Sequence, residues 1–308
     1  MRVSSIGRIF VFIFSFVFLL SISNASAQNL NNTSGTAARA AVGTTTQTDF
    51  SNSIDPMSVS SFSDDRLNET FNKMAAGYSK NAVLFNNIGA TFYKRQMYDK
   101  AELAVRHAIA INYHPAFLTN LSIIYDTQNR YPEAISAAER AVNQSPRYAR
   151  ARNQLCELLM VTGRNADSVQ CYDELAKLTT LDAAAETYYS IALMRSGNAD
   201  RVISILSPLV QAPNPTVLMY NTLGYAYYMK KRYPQAANTF KQAVELDPDN
   251  PNIRYNLAIV LTTENDRAGA LAQYNLIKRT ATPHADQLYR DLNRDKIIYV
   301  NEAAASKK

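Results

Sequence analysis

Small and large apolar residues recur along the central part of the chain with a period of 33–34 residues. In each period a small residue is followed twelve positions later by a second small residue, and a large apolar residue lies three positions after the first. The apolar positions follow helical spacing, so each period predicts two helices joined by a short turn. The small pairs are Gly89/Ala101, Ser122/Ala134, Cys156/Ser168, Ser190/Val202, Gly224/Ala236 and Ala258/Ala270, and the large residues are Phe92, Tyr125, Leu159, Leu193, Tyr227 and Leu261.

The small residues predict close contact between the two helices of a period, because short side chains let the backbones approach each other. Gly163 and Gly197 lie in the predicted turns, and Pro132 and Pro234 start second helices, where proline is tolerated. One such hairpin cannot bury its own apolar face, so each hairpin needs a neighbour. The chain is therefore predicted to be all-α and to consist of stacked helix pairs.

This pattern resembles the tetratricopeptide repeat (TPR) family, whose unit is a helix–turn–helix of about 34 residues. The best match is residues 217–250, which carry the family's residue types at Tyr220, Leu223, Gly224, Tyr227, Ala236, Phe240, Ala243 and Pro248. The resemblance implies a TPR α-solenoid, in which helix–turn–helix repeats form a right-handed superhelix. Within residues 82–284, six repeats are predicted, at 82–114, 115–148, 149–182, 183–216, 217–250 and 251–284.

The N-terminus has the pattern of an export signal. Two arginines precede the apolar run Ile9–Ile22, which has 14 residues, whereas a membrane-spanning helix needs about 17–25. Ala25 and Ala27 then form the small-x-small pattern of a cleavage site. Residues 1–27 are therefore predicted to be a signal peptide, and an uncleaved anchor is the alternative. Export would place the chain in the periplasm of a Gram-negative host, and otherwise make it secreted.

The segments around the repeats differ in composition. Residues 28–62 are rich in Asn, Ser, Thr, Ala and Gly, so a flexible linker is predicted, with a tail that folds on a partner as the alternative. Residues 63–80 predict an amphipathic helix that caps the first repeat. Residues 285–302 are predicted to cap the last repeat, and 303–308 to form a tail.

The charge balance argues against a nucleic-acid binder. The chain of 308 residues has 32 Lys+Arg and 26 Asp+Glu, a net charge of +6 that is small for that function. Six arginines between positions 130 and 164 predict a local positive potential that favours an acidic partner segment, and an ordinary solvated face is the alternative. They are Arg130, Arg140, Arg147, Arg150, Arg152 and Arg164.

Residues that could carry catalysis do not form a recognisable pattern. His107, His114 and His284 are scattered and predict surface histidines, and the sequence contains no P-loop, GxSxG, HExxH or CxxC motif. We therefore expect no catalytic residue, no cofactor, no metal site and no small-molecule substrate.

The two cysteines of the chain lie in the third predicted repeat. Cys156 belongs to its first helix and Cys171 to its second, and an antiparallel hairpin that turns near Gly163 places them at similar heights. In an oxidising compartment they could form a disulfide. Two buried thiols are the alternative, because Cys156 also occupies the small position of its repeat.

The resemblance also implies where a partner binds. In TPR proteins the first helices line a concave groove, and side chains at recurring positions face it. One row of Asn and Thr could hydrogen-bond a peptide backbone, and Tyr and Met would add adaptable apolar contact. The implied lining residues are Asn86, Tyr93, Thr119, Asp126, Arg150, Asn153, Glu157, Met160, Thr187, Met194, Asn221, Tyr225, Tyr228 and Tyr255.

The expected function is that of an exported, non-catalytic scaffold or adaptor that holds a peptide or protein in this groove. Export together with TPR repeats resembles accessory proteins of pilus assembly and secretion machines, and cell-envelope biogenesis is a related setting. An enzyme, or a regulatory subunit of an envelope enzyme, is the alternative. Pro208 within a predicted second helix indicates either a local kink or a hinge in the fourth repeat.

Overall fold

The computed structural model describes residues 54–77 and 79–278, together with Leu288. Within these residues the chain forms one 3₁₀ helix, Ser58–Ser61, and thirteen α-helices, and it contains no β-strand. The α-helices are α1 (Asp64–Ala76), α2 (Ala82–Lys94), α3 (Tyr98–Ile111), α4 (Pro115–Thr127), α5 (Tyr131–Gln144), α6 (Ala149–Val161), α7 (Asn165–Ala176), α8 (Ala183–Arg195), α9 (Ala199–Leu209), α10 (Val217–Met229), α11 (Tyr233–Leu246), α12 (Pro251–Thr263) and α13 (Arg267–Ile277).

The contacts divide the chain into two units, and the boundary lies between Thr180 and Leu181. Unit 1 contains α1 and the helix pairs α2–α3, α4–α5 and α6–α7, and unit 2 contains the pairs α8–α9, α10–α11 and α12–α13. Within a unit each pair also packs on the next pair along the chain. This all-α arrangement confirms the fold class expected from the repeat.

The small residues lie where the two helices of a pair meet. A Cβ atom on Gly89 would lie 2.6 Å from Val105 Cγ2, and one on Gly224 would lie 2.9 Å from the Phe240 ring. Ser122 Oγ and Ser168 Oγ donate across their pairs to the carbonyl oxygens of Ala134 and Cys156, each at 2.8 Å. The recurring small residues therefore set the distance between paired helices, as predicted.

Each turn inside a pair contains a residue with a left-handed backbone, always two positions before the second helix begins. Glycine fills this position in two turns, at Gly163 and Gly197, where φ is 80° and 82°. Residues with side chains fill the other four, at Gln96, Asn129, Lys231 and Asn265, with φ between 58° and 63°. The turn geometry is therefore the same throughout, whatever residue occupies it.

The residue before a first helix usually caps that helix. Side-chain atoms of His114, Asp182, Thr216 and Asn250 accept hydrogen bonds from backbone N–H groups in the first turns of α4, α8, α10 and α12. These bonds satisfy donors that a helix start leaves open. Tyr148, before α6, makes no such bond.

Part of the predicted linker is folded. Within residues 54–62, Val59 and Phe62 are buried in the core of unit 1, and Asn87 Nδ2 donates to the Pro56 carbonyl at 3.0 Å. The linker prediction is therefore wrong for this stretch, because two large apolar side chains near its end are enough to anchor it. The next helix, α1, buries Leu67, Phe71 and Met74, as its amphipathic pattern predicts.

Pro208 is the penultimate residue of α9, which ends at Leu209. The boundary between the units lies before the fourth repeat rather than within it. The predicted signal peptide, most of the linker, the C-terminal cap and the tail lie outside the described residues. None of the helices in residues 54–77 and 79–278 combines the length and the apolar character that crossing a membrane requires.

Candidate partner-binding surface

The fourteen residues implied to line a groove all lie on first helices, but half of them are buried in the folded chain. Tyr93, Asp126, Glu157 and Tyr228 are among those that remain accessible, and Arg150 is exposed. Burial limits what seven of the fourteen can offer a partner, and the assignment of the whole set to a groove stays a prediction. The buried residues are Asn86, Thr119, Met160, Thr187, Met194, Tyr225 and Tyr255.

Thr119 and Thr187, the two threonines of the predicted row of Asn and Thr, are not available to hydrogen-bond a partner in this fold. Thr119 Oγ1 donates to the Pro115 carbonyl at 2.8 Å, and Thr187 Oγ1 donates to the Ala183 carbonyl at 2.6 Å. Both hydroxyls are thus bonded to the preceding turn of their own helix, and both side chains are buried. The polar row is therefore shorter than predicted.

Unit 1 instead holds its polar side chains through bonds between adjacent repeats. Asn120 Nδ2 on α4 donates to Asn86 Oδ1 on α2 at 2.8 Å. Near the other end of the same helices, the hydroxyls of Tyr93 and Thr127 are 2.8 Å apart and hydrogen-bonded. Two first helices are thus linked by polar side chains at two places along their length.

Unit 2 repeats this arrangement at the matching positions of its own helices. Asn256 Nδ2 on α12 donates to Asn221 Oδ1 on α10 at 2.8 Å. Tyr228 is hydrogen-bonded to Thr263. In both units the asparagines are the fifth and sixth residues of their helices, and the tyrosine and threonine are the twelfth and thirteenth. We call each set of four the Asn–Tyr set of its unit.

Each set is extended by a second tyrosine from the start of the paired second helix. The rings of Tyr93 and Tyr98 are 5.7 Å apart at 58°, and those of Tyr228 and Tyr233 are 5.7 Å apart at 54°. In unit 2, Tyr225 also stacks on Tyr228 at 6.4 Å. Aromatic rings held in this way offer rigid contact area with polar edges.

Burial changes the ionisation of several groups on this surface. Desolvation raises the pKa of the Asp126 carboxyl, although Gln154 Nε2 donates to Asp126 Oδ2 at 3.0 Å and favours the charged form. Desolvation likewise raises the pKa of Tyr225 to about 12, with a smaller contribution from Tyr228. Burial thus favours the neutral form of both the Asp126 carboxyl and the Tyr225 hydroxyl.

The third repeat contributes the remaining polar residues. Asn153 Nδ2 donates to Glu157 Oε1 at 2.7 Å, while Asn153 Oδ1 is buried and accepts no hydrogen bond. Arg150 lies one turn earlier on α6 and is exposed. These side chains can both donate to and accept from a peptide.

The cysteines are joined in the structure. Cys156 on α6 and Cys171 on α7 form a disulfide, with their Cα atoms 5.3 Å apart. Cys156 is also buried at the small position of its pair. The bridge therefore ties together the two helices of the last repeat of unit 1.

Four of the six arginines in the predicted cluster have partners within the fold. Arg130 pairs with Glu102 and Glu133, and Arg164 pairs with Asp167. Arg152 Nη2 donates to the Pro146 carbonyl, and Arg140 Nε donates to Tyr113 Oη.

His107 stacks on Phe85, with ring centroids 5.1 Å apart. No group of three His, Cys, Asp or Glu suited to a metal ion occurs among the described residues.

Sequence reasoning missed the partners that complete the two Asn–Tyr sets. Asn120, Thr127 and Asn256 each lie one position beyond a residue that the sequence assigns to the groove, and Thr263 lies at the equivalent helix position to Thr127. The signal was present, because the same residue types recur at the same two helix positions in the second and sixth repeats. What the pattern alone does not reveal is that they bond to the preceding repeat.

Comparison with known proteins finds similarity to one repeat family over parts of the chain. Models of the tetratricopeptide repeat match residues 87–149 and 127–187, and a model described as a TPR repeat matches 224–263. A bovine (Bos taurus) protein, the BBSome complex member BBS4, is 24% identical over 207 residues, which are 66% of this chain. The match covers 39% of the bovine protein, so this chain spans about two fifths of that relative's length.

Solved structures agree on the fold. A tetratricopeptide repeat protein from Parabacteroides merdae superposes with a TM-score of 0.55 at 14% identity, over 79% of this chain and 94% of that chain. YrrB, described as a TPR protein with an unusual peptide-binding site, superposes with a TM-score of 0.52 at 14% identity, over 61% of this chain and 98% of that chain. At such identities the similarity establishes the fold alone.

Proposed function

Because the chain has the all-α fold of tetratricopeptide-repeat proteins, we propose that it is a non-catalytic scaffold that binds a peptide or protein partner on its first helices. TPR folds serve protein–protein interaction, and the names of two similar proteins refer to a complex member and to a peptide-binding site. Each unit offers its own first-helix surface. In unit 1 the surface includes Asn153 and Arg150, and in unit 2 it includes Tyr228.

The observation that carries the proposal is the matched Asn–Tyr set in each unit. Side chains such as Asn120 and Tyr228 are already held by hydrogen bonds between repeats, so less side-chain entropy is lost when a partner binds. Amide and hydroxyl groups beside aromatic rings suit a peptide backbone that carries apolar side chains. The same arrangement occurs in both units, which supports a role beyond packing.

We further propose that the chain works outside the cytoplasm, in assembly of a cell-envelope, pilus or secretion machine. The charged, apolar and small-residue order of residues 1–27 supports export. The bridge between Cys156 and Cys171 suits an oxidising compartment. In a Gram-negative host that compartment is the periplasm, and otherwise the protein is secreted.

Site-specific photocrosslinking tests the binding surface. A photoreactive amino acid would replace Arg150, Asn153 or Tyr228 on first helices, and Lys241, an exposed residue of the second helix α11, would be the matched control. We expect the same partner to crosslink from the first-helix positions and not from position 241. Capture from position 241 alone would contradict the proposal.

N-terminal sequencing of the protein made in its own host tests export. We expect the mature chain to begin at Gln28 and to appear in the extracytoplasmic fraction. An intact N-terminus in the cytoplasmic fraction would contradict the proposed location without bearing on the binding surface.

A further inference from the structure

Unit 1 contains a cleft on the second-helix side of its first two repeats, away from the Asn–Tyr set. It has a volume of about 520 Å³ and lies between α3 and α5, with α4 as its floor. That volume falls within the roughly 300–1,000 Å³ usual for ligand sites. We call it the α3–α5 cleft, and it is lined by Arg106, Ile109, Ala110, Leu121, Tyr125, Pro132, Glu133, Ser136, Ala137 and Arg140.

The cleft exists because small side chains lie on its walls. Ala110 on α3 faces the same space as Ser136 and Ala137 on α5, so the two second helices leave a gap between them. Leu121 and Ile109 supply apolar surface at the bottom. An apolar side chain of a partner could therefore pack against the apolar surface of Leu121 and Ile109.

The rim of the cleft is basic. Arg106 is fixed in place, because its Nε lies 2.9 Å from Glu102 Oε1 and its Nη2 donates to Tyr125 Oη at 2.7 Å. The acidic lining residue, Glu133, is already paired with Arg130. The rim therefore has little negative charge to offer an incoming cation.

Arg140 is a rim cation without a carboxylate partner in the part of the chain that the structure describes. Its Nε donates to Tyr113 Oη at 3.0 Å, and its guanidinium lies 5.3 Å from the Tyr113 ring centroid. No carboxylate among residues 54–77 and 79–278 forms an ion pair with it. Tyr113 thus positions a guanidinium whose charge is uncompensated, and guanidinium groups bind carboxylates in charge-assisted pairs.

We propose that the α3–α5 cleft binds a short extended segment of a partner protein in which an acidic side chain lies next to an apolar one. The carboxylate would pair with Arg140, and the apolar side chain would lie over Leu121 and Ile109. The lining residues of α5 extend from Pro132 to Arg140, a span of nine residues or about 12 Å of helix. That length matches about three to four residues of extended chain. This site is separate from the first-helix surfaces, so it does not rest on the proposed function.

The test is selection from a phage-displayed library of random decapeptides on the folded full chain. Every captured peptide would be measured against two cleft variants, Arg140→Gln, which removes the charge, and Ser136→Leu, which fills the gap from an exposed position. We expect a class of peptides rich in Asp or Glu beside Leu, Ile, Val or Phe. Binding of this class should fall about tenfold or more in either variant, as loss of a charge-assisted contact implies.

Matched controls separate the cleft from general effects. Arg147→Gln removes an exposed arginine outside the cleft, and Asn143→Leu adds leucine on α5 away from the lining. Both should bind the acidic class as the wild type does, and so should the double variant Asn120→Ala/Asn256→Ala. Circular dichroism would verify that each variant is folded.

The proposal is overturned if no captured peptide depends on Arg140 and Ser136, or if the dependent peptides lack acidic residues. It is also overturned if the wild-type chain self-associates and the Ser136→Leu variant does not, since the occupant of the cleft would then be a second copy. If every captured peptide depends on Asn120 and Asn256 and none on Arg140 or Ser136, the result supports the proposed function and overturns the cleft.

Discussion

At the scale of single residues, the left-handed position in each turn keeps its backbone conformation although different residue types occupy it. Lys231 and Gln96 adopt the same backbone as Gly163 and Gly197. A residue with a Cβ is disfavoured in this region by roughly 1–2 kcal/mol. Four of the six turns therefore carry a local cost that the packed helices on either side offset.

Substitution of Gly163 measures that cost directly. A Cβ at Gly163 would meet no atom within 4 Å, so Gly163→Ala changes backbone preference without a clash. We expect it to lower the free energy of unfolding by about 1 kcal/mol. Lys231→Gly should raise it by a smaller amount, because glycine also gains freedom in the unfolded chain. Urea unfolding checks both, and an unchanged midpoint for Gly163→Ala would contradict the argument.

Asp126 predicts a dependence of stability on pH. Its pKa is raised by desolvation in the folded chain, so ionising the carboxyl costs free energy there and not in the unfolded chain. Its contribution to stability therefore falls as the pH rises from the ordinary aspartate pKa through the raised value. We expect Asp126→Asn to be more stable than the wild type at pH 7.

Comparison of Asp126→Asn with the wild type at acid pH provides the control. Below the ordinary aspartate pKa both chains carry a neutral group at this position, so the gain should vanish. Denaturant unfolding at pH 7 and pH 3 measures it. An equal difference at both pH values would show that burial of the charge is not the cause.

The repeat pattern predicts which helices carry the proposed surface, but not the exposure of each residue on it. Thr119 and Asn120 are neighbours on α4, yet Thr119 is fully buried while Asn120 is accessible and bonds to Asn86. A helix turns by about 100° per residue, so adjacent positions can lie on either side of the boundary between packed and open surface. The packing of the neighbouring repeat decides this boundary, and repeat spacing alone does not contain it.

At the scale of helices, the contact between α10 and α11 depends on a glycine. An added Cβ on Gly224 would lie 2.9–3.0 Å from three atoms of the Phe240 ring. We expect Gly224→Ala to destabilise the chain by about 1–3 kcal/mol through overpacking. Adding Phe240→Leu should recover part of that loss. Thermal unfolding of the single and double variants tests it, and simple additivity of the two losses would contradict the contact.

The disulfide makes a second prediction at this scale. It closes a loop with a sequence separation of 15, for which the chain-entropy model gives about 3 kcal/mol of stabilisation. We expect Cys156→Ala/Cys171→Ala to lower the free energy of unfolding by roughly that amount. The wild type treated with reductant should lose a similar amount, while the variant should not respond. Two free thiols in the mature protein would exclude the bridge.

The helix pairs were the most predictable level, because Gly89, Ala101 and their counterparts record contacts between residues twelve positions apart. The sequence alone does not decide the disulfide, because Cys156 suits the small buried position whether bonded or free. The α3–α5 cleft was not predicted, since it depends on the gap left by Ala110 and Ser136 from different repeats.

At the scale of the whole molecule, the two units carry equivalent Asn–Tyr sets. A short peptide that recognises one set should therefore recognise the other. We expect calorimetric titration with such a peptide, selected from the library, to give two equivalents per chain. Asn120→Ala and Asn256→Ala should each remove one equivalent. A stoichiometry of one that both variants abolish would contradict the equivalence.

The sequence predicts a hinge in the fourth repeat only as an alternative to a local kink, and it does not predict where the two units divide. The sequence pattern changes most in the fourth repeat, at Pro208 and Val202, yet the boundary lies between Thr180 and Leu181. Periodicity reports the packing of two helices within a hairpin, and the third and fourth repeats both satisfy it. Contact between successive hairpins depends on faces that the recurring slots do not describe.

The capping residues determine how the chain could change in length. His114, Asp182, Thr216 and Asn250 belong to one predicted repeat and complete the first turn of the next. Asp182, Thr216 and Asn250 are spaced 34 residues apart. Within residues 182–250, a duplication or deletion of 34 residues therefore joins two equivalent positions and leaves a capping residue in front of each first helix of that region. A length that is not a multiple of 34 would separate a cap from its helix, so growth there by whole modules needs no new junction chemistry.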